Sequence, residues 1–148
     1  RNDLLRPVFT TIAAKKKEIA KINGIEPDAK GNYSFYDLQK VYQETRSRDF
    51  GVRRELMPRL ARFEGIVKIY PVEYERAEAS AKEAGTSISR AKREMEFAHY
   101  RIVFPKMTFE EYDTIVEARN LVCHQDNFNL VGNEKIAKAR ELLQKYLR

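Results

Sequence analysis

Thr108-Phe109-Glu110-Glu111-Tyr112-Asp113-Thr114-Ile115-Val116-Glu117-Ala118-Arg119-Asn120-Leu121-Val122-Cys123-His124 is the stretch on which the fold turns. Thr108 and Glu111 have the spacing of a capping box, in which the threonine hydroxyl and the glutamate carboxylate satisfy each other's free backbone N–H. Behind that start, Phe109, Tyr112, Ile115, Val116, Ala118 and Val122 recur every three or four positions. Such spacing gathers them on one face of an α-helix and on neither face of a strand.

Working outward, the same grammar repeats. Asn2 or Asp3 can cap a first helix that has Pro7 in its opening turn, carries Leu5, Val8, Phe9, Ile12, Ile19 and Ile22, and stops at Asn23-Gly24. Pro27, Asp28, Gly31 and Asn32 mark a loop; Ser34 and Asp37 then open a helix running to about Phe50. After Gly51, Leu56, Leu60, Phe63, Val67 and Tyr70 keep helical spacing, with Pro58 and Gly65 as kink or boundary points and Pro71 as a stop. A polar helix over 72–84 ends at Gly85, and Thr86, Ser87 or Ser89 caps a helix carrying Ile88, Ala91, Met95, Ala98 and Ile102 up to Pro105. Beyond the quoted stretch, a glycine turn at 129–133 leads to Asn133, the cap of a last helix with Ile136, Ala137, Leu142, Leu143, Tyr146 and Leu147. Period-two, β-branched runs are missing, so the sequence predicts an all-α bundle of about five to seven helices, and the 148-residue length predicts one domain over 1–148.

Hydrophobic residues at 43% and charged residues at 34% describe a packed core beneath an ionic surface, not a disordered chain. No apolar run reaches the roughly 18 residues of a membrane span, and no signal-like segment opens the chain, so a cytoplasmic protein with no membrane partner is expected. The chain starts with Arg1 rather than Met, which makes other domains of a longer protein expected partners. A single cysteine, Cys123, excludes an internal disulfide; with His99 and His124 as the only imidazoles, and neither at metal-ligand spacing, neither metal nor cofactor is expected. A net charge of +6 favours an anionic partner.

The segment 117–128 concentrates an arginine, amides, a histidine and an acid late in an amphipathic helix. Asn120 and His124 form an i,i+4 pair in which the amide can orient the imidazole, while Arg119 lies roughly 140° around the helix from His124. If the helix end loosens, or a second copy faces it, guanidinium and imidazole can reach one phosphodiester. RNA cleavage asks for those two groups: a proton carrier titrating near neutrality and a permanent cation for the crowded phosphorus. The RNA supplies its own 2′-hydroxyl nucleophile, so no metal is required.

Arg119-Asn120-Leu121-Val122-Cys123-His124 resembles the Arg-x4-6-His motif, often with Asn after the Arg, of the HEPN superfamily of all-α domains. The likeness covers this motif, the helical architecture and a place before the final helix. It implies a metal-independent endoribonuclease of toxin, antiphage-defence or RNA-processing systems, dimerising so that two motifs line one cleft. Arg119 and His124 are then catalytic, Asn120 supportive, and the product a cyclic phosphate. Arg93 and His99 match the loose pattern as well; Asn120 and the polar trailer Gln125-Asp126-Asn127 favour His124. A plainer reading makes His124 a residue stabilised by the helix C-terminus and Arg119 a partner of Glu117 or Asp126.

Arg46, Arg48, Arg53, Arg54, Arg59 and Arg62, offset only by Asp49 and Glu55, hold +4 of the chain's +6 between positions 46 and 62. Arginine suits bidentate phosphate contacts, and Tyr42, Phe50 and Phe63 can stack on unpaired bases, so this is the candidate RNA-binding face; the alternative is an ordinary solvated face. Glu110, Glu111, Asp113 and Glu117 are placed by the dipole of an early helical turn rather than by a metal. Two other functional classes fit the same residues: a noncatalytic helical module binding nucleic acid or protein, and a regulatory domain dimerising through Tyr112, Ile115 and Val122.

Overall fold

A computed structural model describes residues 15–21, 23–124, 127 and 129–148, and among these the backbone is helical with no strand. We number the helices α1 (15–21), α2 (Phe35–Glu64), α3 (Pro71–Ala84), α4 (Ile88–Val103), α5 (Phe109–Cys123) and α6 (Glu134–Tyr146). The all-α bundle read from the sequence is therefore observed. The expected cap at Asn2 or Asp3, the apolar positions up to Ile12, and Ile22 lie outside the described residues. No helix among the described residues is long and apolar enough to cross a membrane.

The chain packs as two compact units, Arg1–Phe50 and Gly51–Arg148, the division falling within α2. In the first, α1 stops as expected: Gly24 adopts φ +67° and the Asn23 side-chain amide donates to the Ile19 carbonyl at 2.9 Å. Asp28 Oδ1 then accepts from the backbone N–H of Lys30 and of Asn32, each at 2.9 Å, closing the loop before α2.

Helix α2 corrects two expectations. It passes through Gly51, expected to end one helix, and through Pro58, expected as a boundary or a kink, which is therefore not a boundary. An interior proline costs roughly 3 kcal/mol or more. Val52, Leu56, Leu60 and Phe63 are nonetheless all buried on one stripe spanning the proline. At about 1.5–3 kcal/mol for each such side chain, that burial outweighs the lost hydrogen bond. Pro71, expected as a stop, instead opens α3, where its missing N–H costs nothing.

The later caps form as read. Gly85 closes α3 at φ +69°, Ser87 caps α4, Thr108 and Glu111 make their reciprocal box on α5, and Asn133 Oδ1 accepts from Lys135 and Ile136 at the start of α6. Cross-helix pairs fix the orientations. Glu73 meets His99 and Tyr74 meets Glu96, so α3 and α4 run antiparallel. Glu111 meets Tyr146 while Glu117 meets Lys135, so α5 and α6 do the same. The core of the second unit joins Leu56 and Phe63 of α2 to Tyr100 of α4, the inner face of α5, and Ile136, Leu142 and Leu143 of α6. Tyr112, Ile115 and Val122 are at most 4% exposed in that core, which removes the dimer face they were expected to offer.

Candidate functional site

The site begins with how α5 ends. Its last backbone carbonyls have no partners within the helix, and a side chain from far away in sequence supplies them: Arg53 Nε donates to the Val122 carbonyl at 3.0 Å, and its Nη2 to the carbonyls of His124 and Asn127 at 3.1 and 2.8 Å. A guanidinium suits this because its fork of donors reaches several carbonyls from one position and its charge opposes the negative helix end. Arg53 is thus committed to the fold, which corrects its expected role as a free phosphate contact.

His124 is the residue this clamp holds in place. It leaves the helix as the C-cap, with φ −89° and ψ 114°, its N–H donating to the Asn120 carbonyl at 3.2 Å. The backbone at His124 is extended, and no hydrogen bond joins the His124 and Asn120 side chains among the described residues. The expected orientation of His124 by Asn120 is therefore replaced by a backbone clamp from Arg53. Both His124 and its neighbour Cys123 are exposed. Gln125 and Asp126, read as a polar trailer, lie outside the described residues, whereas Asn127 is tied in through its side-chain N–H to the Leu121 carbonyl at 3.3 Å.

Arg119 sits one turn earlier and faces elsewhere. Its Nη1 lies 3.1 Å from Glu64 Oε1, with the two side chains 43% and 50% exposed, while Glu117, one of its two expected partners, pairs with Lys135; Asp126, the other, lies outside the described residues. Arg119 and Glu64 stand at the mouth of a cavity of about 280 Å³. The floor is Phe63, Tyr100, Tyr112 and Ile115, all buried, with Phe63 and Tyr100 stacked at a centroid distance of 4.5 Å. Aliphatic wall comes from Leu60, Val67, Ile69 and Val116. On the remaining side, Glu96 Oε2 accepts from the Tyr74 hydroxyl at 2.6 Å and its Oε1 from the Tyr112 hydroxyl at 3.2 Å. His124 does not line this cavity, which Arg119 does.

Burial is the main reason the phenols of Tyr74 and Tyr112 ionise far above the ordinary range, with the Glu96 carboxylate adding to it. Burial also pushes Tyr100 up to about 12, reinforced by the charges of Glu64 and Glu96 and opposed by Arg119. All three remain hydroxyl donors at any physiological pH. The sequence signal for this cavity was available but unused: a tyrosine on a buried helical face needs a hydrogen-bond partner, and Tyr74, Tyr100 and Tyr112 lie on three successive helices with Glu96 between them.

Comparison with protein families, with curated proteins and with solved structures finds no match.

The other expected arginines divide. Arg59 pairs weakly with Glu55 at 4.0 Å, and Glu55 is taken more firmly by Arg140 at 2.9 Å. Arg54 and Arg62 are exposed on α2. In the first unit Arg46 lies 5.9 Å over the Tyr42 ring and Arg48 is exposed. The acids of α5 have partners of their own: Glu111 in its cap, Asp113 with Arg93 at 2.6 Å, and Glu117 with Lys135.

Proposed function

We propose that this chain is a metal-independent endoribonuclease in which Arg119 and His124, contributed by two copies of the chain, act on one phosphodiester. The observation that carries the reading is the state of His124: an exposed imidazole with no side-chain partner among the described residues, in a segment whose backbone Arg53 anchors by three hydrogen bonds. A general acid–base group needs that combination of access and fixed position. Arg119 supplies the cation. Its bridge to Glu64 is worth at most about 1 kcal/mol at such exposure, whereas charge-assisted hydrogen bonds to phosphate are worth about 1.5–3 kcal/mol. A phosphodiester therefore displaces Glu64 readily.

In the proposed reaction the 2′-oxygen bonds to phosphorus as the bond from phosphorus to the 5′-oxygen breaks, leaving a 2′,3′-cyclic phosphate. The His124 imidazole of one copy takes the 2′-hydroxyl proton and delivers it to the departing 5′-oxygen. Arg119 holds the negative phosphoryl oxygens throughout. Exposed Arg54 and Arg62 add sequence-independent backbone affinity.

The second reading is a noncatalytic helical module that binds nucleic acid or protein, and the specific observation favouring it is that Arg119 is paired with Glu64 and lines a cavity that His124 does not line. Labelled single-stranded RNA in EDTA distinguishes the two. The ribonuclease reading expects products from the wild type and none from Arg119→Ala or His124→Ala, with helicity and melting nearly unchanged. Cleavage retained by His124→Ala refutes it; salt-sensitive binding with no product from the wild type supports the binding module.

A further inference from the structure

The cavity beside Arg119 is unusual for so basic a chain. Among its lining residues, two carboxylates face one guanidinium, and that guanidinium is bridged to Glu64 at the mouth. Glu96 has no cationic partner among the described residues and is held by two phenol hydroxyls that each occupy one of its oxygens. A carboxylate oxygen accepts more than one hydrogen bond. Glu96 lines the cavity beside aliphatic side chains, and each of its oxygens keeps capacity for a further hydrogen bond.

The contents decide what can enter. A phosphate is excluded from the interior by the Glu96 charge and would stop at Arg119. The occupant must be flat enough for a space of about 280 Å³, just under the roughly 300–1,000 Å³ typical of small-molecule sites, and must offer two adjacent N–H donors on one edge of its ring. Among the RNA bases only guanine carries two such donors side by side, at N1 and at the 2-amino group; adenine and cytosine have an amino group beside an acceptor, and uracil has one imino N–H between two carbonyls.

We propose that this cavity is a guanine subsite: Glu96 accepts from N1–H and the 2-amino group, Leu60, Val67 and Val116 cover the ring, and the nucleotide's 3′-phosphate rests on Arg119 at the mouth. The inference builds on the ribonuclease reading and gives it a sequence preference, namely cleavage on the 3′ side of guanosine. Tyr74 and Tyr112 are positioning residues. Their hydroxyls fix the Glu96 carboxylate, and they stay protonated across the working pH range.

Binding of 3′-mononucleotides, followed by calorimetry, tests the subsite without any cleavage. The wild type should bind guanosine 3′-monophosphate about ten-fold or more tightly than the inosine, adenosine, cytidine or uridine equivalents, since a well-formed bidentate base contact discriminates by that order. Glu96→Gln keeps an acceptor for the phenols but turns one amide N–H₂ toward the guanine donors, and should abolish the preference. Arg119→Ala should weaken all five nucleotides alike. Equal affinity for guanosine and inosine monophosphates in the wild type overturns the subsite even if RNA is cleaved, and needs no variant to fold. Guanine preference without RNA cleavage leaves the subsite standing and refutes the ribonuclease reading instead.

Discussion

Two regions of this chain carry an arginine followed by a histidine at nearly the same spacing, and they meet opposite fates. On α4, Arg93 is bonded to Asp113 at 2.6 Å and His99 to Glu73 at 2.7 Å, all four side chains at least two-thirds covered. Glu73 is itself held by the Tyr70 backbone N–H. That contact, together with His99, lowers its carboxyl pKa against the opposing effect of burial. At the end of α5, Arg119 is half exposed on a single weak bridge and His124 has no side-chain partner among the described residues. The α4 pair is spent pinning helices together, while in the α5 pair Arg119 has one exposed bridge and Arg53 grips His124 by its backbone alone. A motif defined by spacing does not separate these cases; the partners supplied by other helices do.

The comparison can be broken first at the clamp. Arg53→Ala removes three charge-assisted hydrogen bonds from the end of α5 and should cost about 2–3 kcal/mol in denaturant unfolding, with Arg53→Lys recovering only part because an ammonium cannot span the same carbonyls. A loss near zero would mean that His124 is not held as described.

The opposite end of α5 gives a smaller, pH-dependent effect. Burial works to raise the Glu111 carboxyl, but the Thr108 backbone N–H, the Tyr146 hydroxyl and Lys145 prevail and bring it from the ordinary 4.5 to about 2. A depressed folded value stabilises above the unfolded pKa, so this contribution is complete above about pH 4.5 and is lost as pH falls through about 2. Glu111→Gln should therefore lower stability by about 1 kcal/mol at pH 7 and flatten the acid limb of the stability profile between those two values, read by melting at a series of pH values.

Smallest is the α4 pair. His99→Ala should lower the melting temperature by only about 2–3 °C and leave RNA cleavage unaltered. Loss of cleavage there would transfer the catalytic role from α5 to the His99–Glu73 pair.

What the sequence made legible follows from range. Thr108 with Glu111, Ser87, Asn133 and Gly85 act on backbone within a turn of themselves, so their roles could be read from neighbours alone. Gly51 and Pro58 misled because local propensity is a weak prior against a buried stripe running through Val52, Leu56, Leu60 and Phe63. Arg53 lies 69 to 74 residues from the carbonyls it caps, and no spacing rule reaches that far. The same holds for Glu64 with Arg119, and for Tyr74 with Glu96. The candidate catalytic residues were visible as types; that Arg119 opens onto a tyrosine-floored cavity while His124 stands outside it was not.

Coexpression of Arg119→Ala and His124→Ala chains bears most directly on the claim that one copy lends the cation and another the imidazole. Each variant alone should fail to cut labelled RNA in EDTA, and the mixed population should regain part of the wild-type rate, because heterodimers hold one intact Arg119 and one intact His124 in the same cleft. An active wild type beside a wholly inactive mixture would contradict a shared site.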